Sequence, residues 1–181
     1  IVAGRGSGLR GYYDGFKLTP FYKEFSFTRT DPQIDFNWGK GSPGKNMYSD
    51  HFSVTWTGRI QAQFSGLYTF TTRADDAIKV VINGKEIIDQ PSPNKDGVGF
   101  IYLIKGNTYD ISVSYKEKTK TAFAHLGWQS DKQPFGSIPM SQLYPPGHYS
   151  DANGTVTINN SKWCTRLDSV NTRGNAMTDT F

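Results

Sequence analysis

The run Phe52-Ser53-Val54-Thr55-Trp56-Thr57 decides the fold. Apolar side chains at 52, 54 and 56 alternate with small polar ones at 53, 55 and 57, a period of two that sets one face of an extended strand on a core and the other toward water. Beyond it, Ser65-Gly66 marks a turn, residues 67–72 are rich in Tyr, Phe and Thr, and residues 77–82 run into Asn83-Gly84 ahead of 85–89. Asn-Gly between two such runs is the strongest short hairpin signal, because both central residues of its turn take positive φ. Pro91, Pro93, Asn94 and Gly97 form a loop, and residues 98–104 and 109–115 read as strands on either side of Lys105-Gly106-Asn107. In the second of these, Tyr109, Ile111, Val113 and Tyr115 share one face. Residues 116–121 read as a solvated turn, 122–128 as the next strand and 129–137 as a polar loop.

No stretch of about 12 residues carries a 3.6-residue period, so helix is confined to a turn near 140–143. Strands recurring every 8 to 12 residues predict an all-β fold, an antiparallel β-sandwich or barrel-like domain. The 181 residues are enough for one domain with a real core plus a tail. Aromatic residues at 14% exclude disorder, and charged residues at 20%, below the usual ~25%, leave little for salt-bridged helices. Beyond Pro145-Pro146-Gly147 the composition turns to Asn, Ser, Thr and Asp, so residues 147–181 are expected to be a polar extension, with an edge strand over 155–158 as one option. Two glycosylation sequons, at Asn153 and Asn159, fall in it.

The formal charge of +4 is spread along the chain apart from Lys116, Lys118 and Lys120, with no basic helix and no RNA-binding aromatic signature, so no nucleic-acid partner is expected. A single cysteine, Cys164, excludes an internal disulfide, and no run of about 18 apolar residues suits membrane insertion. His51, His125 and His148 lie far apart, and Gly-x-Ser-x-Gly, His-Glu-x-x-His and Cys-x-x-Cys are all missing, so the domain is expected not to be an enzyme. Two Gly-x-Gly-x-x-Gly matches, at Gly6, Gly8, Gly11 and at Gly39, Gly41, Gly44, lack the strand before and helix after that would hold phosphate, and read as loop glycines.

Several blocks in order carry a resemblance. They are Gly8-Leu9-Arg10-Gly11-Tyr12-Tyr13, Thr30-Asp31-Pro32-Gln33-Ile34-Asp35-Phe36-Asn37-Trp38-Gly39, Gly41-Ser42-Pro43, the strand from Phe52 to Gly58, and Ser65-Gly66-Leu67-Tyr68-Thr69-Phe70. Asp75-Asp76, Ile82-Asn83-Gly84, Leu126-Gly127-Trp128, Ile138-Pro139 and Leu143-Tyr144-Pro145 follow. Over residues 8–146 the chain resembles the PA14 domain, a module named after toxin protective antigens. The resemblance implies a β-sandwich in a secreted or cell-surface protein, belonging to a larger multidomain chain.

Many members of that family bind carbohydrate through a calcium ion held by two consecutive aspartates joined by a cis peptide, and Asp75-Asp76 stands at that position. Calcium takes six to eight oxygens, so sugar hydroxyls can fill positions the protein leaves open. From the loop after Trp128 the resemblance suggests Gln129, Ser130 (through its carbonyl) and Asp131 as further ligands, with Gln129 standing where flocculin-like members use an Asn. From the residues alone, Asp75-Asp76 also reads as a solvated turn. Trp38, Trp56, Trp128, Tyr22, Phe123 and Phe135 are candidate sugar-stacking platforms. The expected function is calcium-dependent binding of a glycan or polysaccharide. The alternatives are a calcium-independent polysaccharide-binding module and a toxin-type protein-assembly module.

Overall fold

The structure is a computed structural model that describes residues 4–15, 25–93, 95–147, 149–150 and 156–157. The strands are β1 (Leu9–Gly15), β2 (Ser26–Asp31), β3 (Asp35–Gly39), β4 (Phe52–Gln61), β5 (Gly66–Asp75), β6 (Ala77–Ile82), β7 (Lys85–Gln90), β8 (Gly97–Leu103), β9 (Thr108–Glu117), β10 (Ala122–Ser130), β11 (Gln133–Ser137) and β12 (Leu143–Tyr144). A 3-10 turn, Met140–Gln142, stands where the helical turn is expected.

Two antiparallel sheets face each other. One runs β2-β1-β4-β9-β6-β7 with β12 on β4; the other runs β11-β10-β5-β8, with β3 sharing the β11 side of β10. Alternation drives the packing: Phe52, Val54, Trp56 and Ile60 of β4 meet Tyr68, Phe70 and Ala74 of β5 and Ala124, Leu126 and Trp128 of β10 in one buried core. Asn83 and Gly84 both have positive φ, 47° and 76°, as the Asn-Gly hairpin requires.

Three expectations are corrected. Residues 129–137 are not one polar loop, because β11 pairs with β10 from Gly127 to Ser130 and Phe135 covers Gly127. Gly11 is not a loop glycine: it lies inside β1, where a Cβ would run into Asp31 Oδ2 and the rings of Tyr13 and Trp56. The segment near 155–158 adds no edge strand to the sandwich among the described residues; Tyr149–Ser150 and Val156–Thr157 pair with each other in a separate two-stranded sheet.

The chain divides into a unit of residues 1–146 and a unit of residues 147–181. Both sequons, His148 and Cys164 fall outside the described residues, as does Tyr22.

Candidate functional site

Strand register shows which residues share an end of the sandwich. Gly15 lies opposite Phe52, Phe52 opposite Glu117, Ala77 opposite Lys116, Asp75 opposite Phe123 and Ala122 opposite Gly39. One end therefore gathers the 40–51 segment, the Asp75-Asp76 corner between the two sheets, and the 118–121 loop.

The Asp75-Asp76 peptide is cis and lies at the step where the chain leaves β5 for β6. Backbone and hydroxyl donors fix the two carboxylates. Asp76 Oδ2 accepts from the Lys118 amide at 2.6 Å, and Asp75 Oδ2 accepts from Thr121 Oγ1 at 2.8 Å. The same loop is tied to the start of β4, where the His51 amide donates to the Lys118 carbonyl at 3.1 Å and the Lys120 amide to Asp50 Oδ1 at 3.1 Å. Among the described non-glycine residues, positive φ occurs at Asn46, His51 and Lys120 near this end and at Asn83 in the hairpin. Backbone in that region is uncommon for such residues and persists where its surroundings impose it.

Inside the corner sits Glu117, which is 1% exposed. The Tyr115 hydroxyl meets both the Asp75 carbonyl oxygen and Glu117 Oε2, the latter at 2.9 Å. One hydroxyl carries one proton, so both contacts are made together when Glu117 holds a proton of its own. Burial pushes the Glu117 carboxyl up to about 7; the Tyr115 hydrogen bond opposes this, and the charges of Asp76, Asp75 and Asp50 add to it. Glu117 Oε1 is buried with no hydrogen-bond partner. Burial, then the Glu117 charge, likewise raises the Tyr115 hydroxyl far above its ordinary value, which keeps it a donor.

Oxygen donors predominate at this corner: the carboxylates of Asp75, Asp76 and Asp50, the Thr121 hydroxyl and the buried Glu117, with His51 beside Asp50. Carboxylate and hydroxyl oxygens are the ligand type a hard cation such as calcium takes. Among the described residues no group of three or more His, Cys, Asp or Glu side chains is arranged to hold an ion. A cation at the aspartate pair would therefore draw further ligands from hydroxyl and backbone oxygens, water or a ligand.

The other expected ligands lie elsewhere. Gln129 pairs with Thr69, six residues along β5 from Asp75. At about 3.3 Å per residue this puts Gln129, Ser130 and Asp131 roughly 20 Å away, at the opposite end of the sandwich. The connection from β9 to β10 is the reason: β9 and β10 lie in different sheets, and the 118–121 loop that joins them, not the one after β10, lies at the Asp75-Asp76 end. Asp50, Glu117, Lys118 and Thr121 are the neighbours the sequence reading missed.

The expected platforms divide as well. Trp56 and Trp128 are fully buried, and Trp38 is half-buried with its ring centroid 4.9 Å from Phe36 and 5.5 Å from Tyr115. Trp56 and Trp128 therefore offer no face to a sugar, and one face of Trp38 is taken by Phe36. Phe123 is half-buried, whereas Phe135 is exposed on the outer face of the smaller sheet.

A second buried polar group lies on the larger sheet. Asp31 Oδ2 accepts from Tyr13 at 2.6 Å and from Trp56 Nε1 at 2.7 Å, and Oδ1 accepts from Arg29 Nε at 2.6 Å. Arg29 also donates to the Tyr13 hydroxyl and the Pro43 carbonyl, and its guanidinium lies over the Tyr13 ring.

Comparison with known proteins places this geometry. The PA14 domain profile matches residues 6–140. Anti-sigma-I factor RsgI3 of Acetivibrio thermocellus is 40% identical over 157 residues, which are 83% of this chain and 24% of that protein. The chain thus spans about a quarter of that relative. A solved structure of an anti-sigma factor domain-containing protein from Clostridium clariflavum is 39% identical with a TM-score of 0.67, covering 80% of this chain and 50% of that one. The PA14 sugar-binding domain from an RTX adhesin shares the fold, with a TM-score of 0.61 at 17% identity over 77% of this chain and 98% of that one. By profile, sequence and fold, the chain belongs to the PA14 domain family.

Proposed function

We propose that this domain is a non-catalytic carbohydrate-binding module of an extracellular protein, in which calcium at Asp75 and Asp76 presents open coordination positions to vicinal sugar hydroxyls. The observation that carries the proposal is the adjacent aspartate pair at the step from β5 to β6, with one oxygen of Asp75 anchored by Thr121 and one of Asp76 by the Lys118 amide. Anchoring one oxygen orients the other, and preorganised ligands lower the cost of capturing an ion. A relative of the same fold described as a sugar-binding domain of an adhesin supports the choice of ligand class. A shallow single-sugar site of this kind binds modestly and gains from repetition along a polysaccharide or across neighbouring modules. Screening the full chain on a glycan array with calcium and again with chelator tests the proposal. Glycan signals that vanish in chelator are expected; signals of equal strength in both would remove calcium from the mechanism.

A calcium-independent reading has one observation of its own. On the outer face of the smaller sheet, Val98, Phe100 and Tyr102 of β8 lie opposite Thr71, Thr69 and Leu67 of β5, with Phe135 on the far side. Tyr102 is 64% exposed and Phe100 56% exposed, and Thr69 lies beside Phe100. A flat band of rings and hydroxyls suits the face of a neutral polysaccharide. A pull-down on insoluble polysaccharide that survives chelation and is lost in Tyr102→Ala would favour this surface over the aspartate corner.

A further inference from the structure

The geometry points to a sugar subsite on the outer face of the smaller sheet, where the Phe135 ring stacks on one neutral pyranose and the Asp35 carboxylate accepts from two of its vicinal hydroxyls. Strands β3 and β11 pair with successive stretches of the same side of β10, β3 from Ala122 to His125 and β11 from Gly127 to Ser130. They meet where the Leu126 amide donates to the Ile34 carbonyl at 2.9 Å. Alternation buries Ala124, Leu126 and Trp128 of β10 and leaves His125 on the outer face, with Asp35, Phe135 and Ser137 around it.

Gly127 lets the ring lean across the sheet. A Cβ there would lie 2.8 Å from Phe135 Cε2 and 3.0 Å from Cζ, so the ring takes this position only over a residue without a side chain. Phe135 nevertheless stays 54% exposed, which turns apolar ring surface to solvent beside the His125 imidazole, 6.2 Å away between centroids. The Asp35 carboxylate is held at both oxygens: Oδ1 lies 3.2 Å from His125 Nδ1, and Oδ2 accepts from Ser137 Oγ at 3.2 Å. A carboxylate accepts about four hydrogen bonds, so each oxygen has capacity for one more, and the side chain is open to solvent.

An apolar ring next to an anchored carboxylate matches a pyranose, which carries C–H groups on its face and hydroxyls on its edge. Two acceptors on one carboxylate suit two neighbouring hydroxyls, and hydrogen bonds to an ionised acceptor are the strong ones. Thr71 and Arg73, opposite Gly127 and His125 on β5, add polar groups on the other side. A wholly apolar partner would strip these groups of water without pairing them. An acidic sugar would set its charge against Asp35, and axial hydroxyls would hold a sugar away from the ring. A neutral pyranose with equatorial hydroxyls, as in a β-1,4-glucan or xylan, meets all of these conditions.

The inference rests on the calcium-independent reading of this face and moves its anchor from Tyr102 on β8 to β11, three strands across the sheet. Calorimetric titration of the full chain with cellotetraose and with xylotetraose, both in chelator, separates the possibilities. Saturable binding of at least one is expected. Phe135→Leu still covers Gly127 but removes the aromatic face, and should weaken binding about tenfold, whereas Phe135→Trp should retain it. Asp35→Asn should weaken it about fivefold. Tyr102→Ala, and Asp75→Asn with Asp76→Asn, should each stay within about twofold of wild type.

Residues with a purely structural role would lower the melting temperature and leave affinity unchanged. Affinity within about twofold of wild type in either Phe135→Leu or Asp35→Asn overturns the subsite. Loss in Tyr102→Ala alone also overturns it but upholds the calcium-independent reading. Loss in the double aspartate variant, or no binding of either tetraose in chelator, overturns both and leaves the calcium site to its own test. If Phe135→Leu does not fold, Asp35→Asn carries the decision.

Discussion

Asp31 and Glu117 are both buried carboxylates on the inner face of the larger sheet, yet their hydrogen-bond surroundings are opposite. Asp31 is saturated: Tyr13, Trp56 and Arg29 all donate to it, and Arg29 closes the ring through the Tyr13 hydroxyl. Glu117 has one contact, shared with a carbonyl, and one orphan oxygen among three other acids. A saturated buried acid locks strands together and has nothing left to offer a ligand. A half-satisfied one leaves a desolvated oxygen uncompensated, which lowers the stability of the fold. The contrast separates a saturated buried acid from an unsaturated one on hydrogen-bond inventory alone.

The largest expected effect is at the saturated acid. Asp31→Ala strands a partly buried guanidinium, a tyrosine hydroxyl and an indole N–H, and should cost about 3–5 kcal/mol in urea unfolding. A loss under about 1 kcal/mol would mean that Asp31 is dispensable. Gly11→Ala attacks the same network by volume, since its methyl would occupy the space of Asp31 Oδ2, and should cost about 1–3 kcal/mol.

Next comes the pH response of the half-satisfied acid. The folded state holds the Glu117 proton up to about 7, whereas the unfolded chain releases it near the ordinary value of 4.5. Between those values the folded state binds more protons, so this group's contribution to stability is full below about 4.5 and is lost as pH rises through about 7. Metal-free protein should therefore lose on the order of 1–3 kcal/mol from this group across that window, and Glu117→Gln should flatten the profile. Urea midpoints from pH 4.5 to 8 measure it, and identical slopes in the two proteins would show that Glu117 is ionised throughout.

The smallest expected effect lies at the far end of the sandwich. Asp131→Asn should leave calcium affinity within about twofold of wild type, because roughly 20 Å separates it from Asp75 and exposed charges that far apart are screened. A tenfold loss in the same titration would return the β10–β11 turn to the site.

Much of the sandwich was legible in the sequence because a two-residue period and an Asn-Gly turn are local signals. The alternation at Phe52, Val54 and Trp56 and the hairpin at Asn83-Gly84 each report one physical requirement of adjacent residues. Strands β1, β2, β3 and β11 were less legible. Gly11 in β1 and Pro134 in β11 break strand propensity, and the first is there because the Asp31 network leaves no space for a Cβ. The aspartate corner could be named by resemblance, but its neighbours depended on which loop returns to it, a consequence of register that no local pattern shows. Glu117 did leave a trace: carrying the Tyr109, Ile111, Val113, Tyr115 alternation one step further reaches it. An acid on the apolar side of a strand is the signal that finds it.

The most direct measurement is calorimetric titration of the full chain with a glycan identified on the array, at zero and saturating calcium, alongside titration of calcium with and without the glycan. Calcium should raise glycan affinity, and glycan should raise calcium affinity by the same factor, because coupling between two ligands is reciprocal. Asp75→Asn with Asp76→Asn should erase both. Glycan affinity that does not change between calcium-free and calcium-saturated protein would contradict a calcium-centred sugar site at Asp75-Asp76.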